Sequence, residues 1–338
     1  MARKLASIRK ILKLEPIENA DNLELAKIGG WQCVVKKGEF SVGDLCVYFE
    51  IDSLLPIDPR FEFLRKSSYK VLPSGISGFR LRTIKLRGPL SQGLIMPLSE
   101  FPELPQGQYD VTDALKVMLY EPPVSVGMRG QAKGLFPVFI RKTDAERIQN
   151  LTEYFLSMVN EPFEVTEKLD GSSMTIYCIN NGIGVCSRNM DLKEEENNTF
   201  WKSAKDIIPS LKKLGKNIAL QGELVGEGIQ KNRLKIRGQK FFLFSIYNID
   251  QHSYVSPDER KNIFETLKKN CPIEHVPILI EKDYTFQRYT NIDKLLEFAE
   301  GFSCINSASN REGVVFKSYN NPNIIFKAIS NKYLLQEK

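Results

Sequence analysis

The chain is 338 residues long, 42% hydrophobic and 26% charged, with a formal net charge of +6. That length suits two domains better than one, and no low-complexity tract or bilayer-length apolar run interrupts it. Six scattered cysteines without a C-x-x-C pair, and only two histidines, speak against structural zinc, a disulfide framework and histidine-based catalysis. The basic start, MARKLASIRKILKLEP, leads into no signal-peptide hydrophobic region, so a soluble, intracellular protein without membrane attachment is expected. Its mild positive charge fits a polyanionic partner without requiring one.

The first hundred residues are expected to be β-rich. Apolar segments at Trp31 to Val35, Leu45 to Ile51 and Phe79 to Lys85 are separated by Gly, Pro, Asn and Asp, the rhythm of a small barrel. Turns are expected at Lys36-Lys37-Gly38 and Gly43-Asp44. The cations Arg80, Arg82, Lys85 and Arg87 would face nucleic acid or simply line a solvated edge strand. Periodicity then fails from Pro102 to Pro137, which marks a connection. The expected division is a barrel at 1–105, a linker at 106–132 and a second domain at 133–338.

In the second half, Thr143-Asp144-Ala145-Glu146 has the form of a capping box. Ile148, Leu151, Phe155 and Met158 follow at helical spacing. Further helices are expected after Ser256-Pro257-Asp258-Glu259 and from Asn291 to about Ala299, the latter stopping at Gly301. Strands are expected at Pro162 to Lys168, Ser173 to Ile179 and Gly184 to Arg188, with Asn180-Asn181-Gly182 as a hairpin turn. Others are Ile218 to Val225, Phe241 to Asn248, Val314 to Ser318 and Ile324 to Ala328. Irregular alternation of strands and helices predicts an α+β domain of antiparallel sheets.

Glu167-Lys168-Leu169-Asp170-Gly171-Ser172-Ser173 stands at the end of a strand, where a glycine turn exposes side chains. In order after it come Ser187-Arg188-Asn189, Gly222-Glu223-Leu224-Val225 and the aromatic run Phe241 to Tyr247. Arg311 to Lys317 and Phe326 to Lys332 follow. This ordered set resembles the collinear motifs of covalent nucleotidyltransferases, which include ATP-dependent ligases and messenger-RNA capping enzymes. The amino-terminal half, with Pro16 to Ala26 and the Val42-Gly43-Asp44 turn, looks like an OB-type barrel. Only six residues follow Lys332, too few for the carboxy-terminal OB domain of DNA ligases and capping enzymes. A leading OB domain, together with Phe139 to Arg147, resembles RNA ligases of the Deinococcus and Naegleria type. The implied fold is an OB barrel followed by an α+β nucleotidyltransferase domain with ATP-grasp-like antiparallel sheets. The implied function is ATP-dependent joining of RNA 3′-hydroxyl and 5′-phosphate ends, as in RNA repair.

The resemblance implies Lys168 as the nucleophile that takes AMP from ATP. Deprotonating an ordinary lysine, of pKa about 10.4, costs about 4.6 kcal/mol at pH 7, so the site is expected to depress it with cations or desolvation. Asp170 and Glu312 then make sense as ligands of magnesium or manganese, against the alternative of surface ion pairs. By resemblance Glu223 accepts from the ribose, Phe244 stacks on adenine and Glu167 binds its amino group. A buried ion pair and a core aromatic are the plainer readings of Glu223 and Phe244. Lys317 and Lys327 look like phosphate ligands, Arg188 like the contact to the terminal nucleotide, and Arg147 and Lys142 like holders of the β- and γ-phosphates. Each would otherwise be a solvated cation. The last motif departs from K-x-K, because Ile329 stands where a second lysine is expected, leaving Lys332 or another cation to substitute. The expected partner is RNA with 5′-phosphate and 3′-hydroxyl ends, as in a nicked duplex, bound by a monomer. The rivals are a DNA ligase, a capping guanylyltransferase and a non-catalytic RNA-binding OB protein.

Overall fold

Short strands with Gly turns at positive φ, such as Gly38 at 77° and Gly43 at 103°, set the character of the amino-terminal part of the computed structural model, which describes residues 3–105, 107–121 and 130–336. The chain divides into two units, Met1–Val124 with Leu335–Lys338, and Ser125–Leu334. Residues 122–129, within the expected linker, lie outside the described residues.

In the first unit, Leu45–Phe49 pairs with both Ala6–Lys10 and Leu94–Pro97, while Leu23–Ile28 lies between Lys13–Pro16 and Trp31–Lys36. All these pairings are antiparallel. Val47, Phe49, Leu55, Phe61, Phe79 and Phe101 form the core. The single strand expected from Phe79 to Lys85 is two. Ser77–Arg80 pairs with Ser53–Leu55 and Tyr69–Val71, whereas Thr83–Lys85 pairs with Leu90–Gln92. The chain changes sheet at Leu81, whose amide and carbonyl serve Ser53 and Asp52 instead of a continuing ladder. Of the basic residues there, Arg80 stacks its guanidinium 4.1 Å from the Tyr120 ring.

The second unit holds two sheets. The strand Phe163–Lys168 lies in a five-stranded sheet, between Gly313–Ser318 and Ile278–Asp283. In the eight-stranded sheet Ser172–Ile179, Ile218–Gly226 and Gln239–Asn248 run side by side. Asn180 and Asn181 both adopt positive φ (49° and 62°), and Ile179 pairs with Gly182, so the expected hairpin closes in two residues. Helix Pro257–Lys268 begins as expected: Ser256 Oγ accepts from the Glu259 amide at 3.1 Å. Asn291 caps Ile292–Ala299 through the Lys294 amide.

The helix expected after Thr143 does not form. Glu146–Arg147 is instead a two-residue strand parallel to Phe326–Lys327, followed by 3-10 turns at Ile148–Asn150, Thr152–Tyr154 and Leu156–Met158. Thr143 Oγ1 lies 3.0 Å from Ser173 Oγ rather than capping an amide. Glu146 accepts from the Arg147 amide and the Asn150 side chain. The apolar residues still reach the core, Ile148 and Met158 among them, but sheet pairing has claimed the backbone groups that a helix would use. Among the described residues five short helices have no counterpart in the expected elements: Arg65–Ser68, Thr199–Ala204, Ile208–Lys213, Thr285–Arg288 and Asn331–Leu334. Each is too short to show a periodicity.

Among the described residues no helix is long and apolar enough to cross a membrane.

Candidate active site

Antiparallel register places the chemistry. Lys168 ends its strand opposite Gly313, so Glu312 arrives beside it, and Lys168 Nζ lies 2.7 Å from Glu312 Oε1. The turn that follows packs tightly on the next sheet: a Cβ on Gly171 would stand 2.4 Å from the Leu224 carbonyl oxygen and 2.9 Å from Glu223 Cγ. Only glycine permits that approach. Ser173 then pairs with Glu223, and three carboxylates, Glu312, Glu223 and Asp170, act on one amine.

The carboxylates act against the depression expected at this amine. Burial pulls the Lys168 amine down, but Glu312, Glu223 and Asp170 outweigh it and hold its pKa above the ordinary lysine value. The neighbourhood supplied by the protein is anionic, not cationic, and it keeps the amine protonated. The Glu223 carboxyl is also pushed upward: burial, helped by Glu312 and Asp170, drives it to about 8 against the pull of Lys168.

Glu167, 2% exposed, turns toward a different partner. Its Oε2 accepts from the Cys304 amide at 2.8 Å, while Oε1 is buried without a hydrogen-bond partner. Such a group invites a donor. Phe244 packs, half-buried, on the apolar cluster of Leu169, Val225, Phe242 and Val276. It occupies a bulge, because Gly222 pairs with Leu243 and Gln221 with Ser245, leaving Phe244 unpaired.

Profile and structure comparisons relate the chain to known proteins. A profile described as an OB-fold domain matches residues 5–98, and one described as RNA ligase matches residues 161–329. Naegleria gruberi RNA ligase with PPi superposes with a TM-score of 0.92 at 44% identity, over 99% of each chain. The chain belongs to the RNA ligase family. Two variants of the Naegleria gruberi ligase, one with ATP and Mn and one with AMP and Mn, match with TM-scores of 0.91, at 45% and 44% identity, over 98% of each chain. A comparison with curated proteins found no match.

In this ligase the remaining expected residues fall into three places. Arg147 and Lys327 are register partners on parallel strands, so their side chains share a face. Lys142 and Arg188 are exposed and hold each other's segments: Lys142 Nζ donates to Asn189 Oδ1 at 3.1 Å and Arg188 pairs with Asp144 at 2.7 Å. Lys317 is apart from Lys168. It pairs with Glu164, four residues back along the strand, or about 13 Å, and its buried amine donates to the Phe244 carbonyl oxygen. Lys332, the substitute considered for the last motif, is paired with Glu300 at 2.9 Å.

Two participants escaped the sequence reading. The Cys304 amide orients Glu167 from 137 residues away, and no local pattern announces it. Arg233 lies 3.6 Å from Asp170 and stacks 4.8 Å from the Tyr333 ring. The basic run Lys231-Asn232-Arg233-Leu234-Lys235-Ile236-Arg237, between two site-bearing strands, was a legible signal for it.

The Lys317 amine has a consequence for stability. Burial, then Arg260, lowers it to about 7, with Glu164 opposing. Between that value and the unfolded 10.5 the unfolded chain binds more protons, so stability rises with pH there. We expect denaturant titrations at pH 7.5 and 9.5 to show wild type gaining stability relative to Lys317→Met, on the order of 1 kcal/mol per pH unit. Parallel pH profiles for the two would remove the assignment.

Proposed function

We propose that this ligase joins RNA ends through a lysyl-AMP intermediate on Lys168, with ATP as the donor. The Lys168 amine attacks the α-phosphorus of ATP, forming a P–N bond as the bond to pyrophosphate breaks. An oxygen of the RNA 5′-phosphate then attacks the same phosphorus, the P–N bond breaks and the amine is regenerated. The RNA 3′-hydroxyl finally attacks the activated 5′-phosphate, forming the phosphodiester and releasing AMP. The observation that carries the reading is a lysine at a strand end, ringed by Glu312, Glu223 and Asp170, in a chain of the RNA ligase family.

Asp170 and Glu312 are hard oxygen donors and suit magnesium or manganese. Among the described residues no three His, Cys, Asp or Glu side chains converge into a complete ligand set. Such an ion would therefore take the rest of its shell from phosphate oxygens and water, the usual habit of magnesium. When bound, it offsets the carboxylate charge that holds Lys168 protonated and stabilises charge on the phosphate. Glu167 directs its open oxygen to the adenine amino group. Guanine would present a carbonyl there, acceptor to acceptor, which favours ATP over GTP. Phe244 forms the wall against the base, and Glu223 accepts from the ribose. Lys327 and its neighbour Arg147 hold phosphate, Arg147 standing in for the missing second lysine. Lys142 meets the outer phosphates and Arg188 the terminal nucleotide.

The functional division we propose is an OB-type domain at 1–105, a linker at 106–132 and an adenylyltransferase domain at 133–338. A single chain supplies every side chain assigned to the site, so a monomer suffices, and a nicked RNA duplex is the substrate to try first. The free cysteines, five of them buried, suit a reducing, intracellular setting. Intact-mass and peptide analysis after incubation with ATP and magnesium should place one AMP-sized increment on Lys168. No increment, or an equal yield of a GMP-sized increment from GTP, defeats the proposal.

A further inference from the structure

The Glu223 and Phe244 strands are joined by residues 227–238, a loop whose shape is specified at many points. Ile229, Leu234 and Ile236 are buried. Leu234 and Ile236 sit in the cluster that includes Leu169, the residue after the reactive lysine. Asn232 clamps the chain in both directions: its Nδ2 donates to the Ile236 carbonyl oxygen at 3.0 Å and its Oδ1 accepts from the Ile236 amide at 3.1 Å. Asn306 donates to the Arg233 carbonyl oxygen at 2.9 Å, and the Glu227 amide closes the base onto the Gly238 carbonyl oxygen at 2.7 Å. Gln230, Asn232 and Lys235 take left-handed φ of 46°, 42° and 53°, a conformation costly for side chains other than glycine.

What this framework displays is charge of one sign. Buried Leu234 and Ile236 alternate with Arg233, Lys235 and Arg237. Lys231, Lys235 and Arg237 are exposed and form no ion pair among the described residues. Glu227 is the loop's one acidic residue. Arg233 alone turns inward, to Asp170 and Tyr333. Solvated lysines need no such scaffold. Three exposed cations on one loop with a fixed backbone offer concentrated positive charge to a polyanion.

We infer that this loop is a binding surface for the RNA backbone: Lys231, Lys235 and Arg237 receive phosphodiester groups of the strand whose end is joined beside Lys168. The inference rests on the ligase reading above and names where its substrate lies. Phosphates would be met as point charges, so the surface positions RNA without reading its sequence.

The test separates the half-reactions. The variant Lys231→Ala/Lys235→Ala/Arg237→Ala and a charge-retaining one, Lys231→Arg/Lys235→Arg/Arg237→Lys, are compared with wild type. Lysyl-AMP formation from ATP, and sealing of a pre-adenylated nicked RNA across a salt series, are measured for each. The alanine variant should form lysyl-AMP within about twofold of wild type. Its slope of log affinity for RNA against log salt should become shallower by about 2–3, since each phosphate contact contributes about 0.7–0.9. The charge-retaining variant should keep the wild-type slope. Single alanine variants, each shallower by about 0.7–0.9, decide the matter if the triple variant does not fold. An unchanged slope overturns the inference. So does a parallel fall in lysyl-AMP formation, which would assign the loop to the triphosphate of ATP. Wild type that seals no RNA sinks the ligase reading itself, whereas equal sealing with and without the three cations sinks this inference alone.

Discussion

Replacing Lys168 with alanine should abolish lysyl-AMP formation and sealing of a 5′-phosphate RNA, while sparing sealing of RNA that is already adenylated. Removing the attacking amine leaves nothing to form the P–N bond, so the loss in adduct formation should exceed about a thousandfold. The final step uses no lysine nucleophile. It needs the phosphate of the activated end to be held, which the proposal assigns to Lys327 and Arg147. The 2.7 Å contact of Lys168 with Glu312 adds a second consequence: the alanine variant leaves that carboxylate without its ammonium partner, so its melting temperature should fall as well, and the assays are run below it. Gel assays with labelled ATP and with pre-adenylated nicked RNA, run on the same preparation, give the answer. A labelled adduct in the variant would place the nucleophile elsewhere. Equal loss of both activities would mean that Lys168 serves the final step too.

The largest effect on stability is expected away from the nucleophile. Arg260, on helix Pro257–Lys268, donates to Glu164 of the lysine strand, and both side chains are 3% exposed. The same guanidinium donates through Nε to His275 Nε2 at 3.1 Å. His275 then presents Nδ1 to the Val276 carbonyl oxygen at 2.6 Å, which requires the neutral ring. Burial, then Arg260 and Lys317, accordingly lower its pKa to about 3. Arg260→Leu would strand a buried carboxylate, a loss of roughly 3–5 kcal/mol, and lower Tm by on the order of 10 °C. The double variant Arg260→Leu/Glu164→Gln should recover much of that, because the isolated charge and not the lost pair dominates the cost. A single variant melting within about 2 °C of wild type, or a double variant no better than the single, would show that the pair is not what holds this corner.

Arg260 also illustrates what was hard to foresee. Its position in a helix opened by a Ser-Pro-Asp-Glu cap was legible, as were that helix, the Asn291 cap and the Asn-Asn-Gly hairpin, since caps and two-residue turns act over a few neighbouring residues. Its target, 96 residues earlier in the chain, was not. The region after Thr143 failed for the opposite reason. Its cap and spacing were locally sound, yet pairing of Glu146–Arg147 with Phe326–Lys327 took precedence, and the same pairing sets Arg147 beside Lys327. Lys317 was expected at phosphate from its place in a motif. Register opposite Glu164 sets it at a carbonyl oxygen instead.

The order of motifs around Lys168, Glu223 and Glu312, and the leading β-rich half, could be read in one dimension because nucleophile, turn glycine and acidic partners are properties of short segments. Those segments named the family and pointed to Lys168 as the amine proposed to react. The open oxygen of Glu167 and the placement of Arg233 against Asp170 could not be read that way. Each arises where strands distant in the chain are brought into register, and electrostatic energy depends on the separations that packing leaves between them.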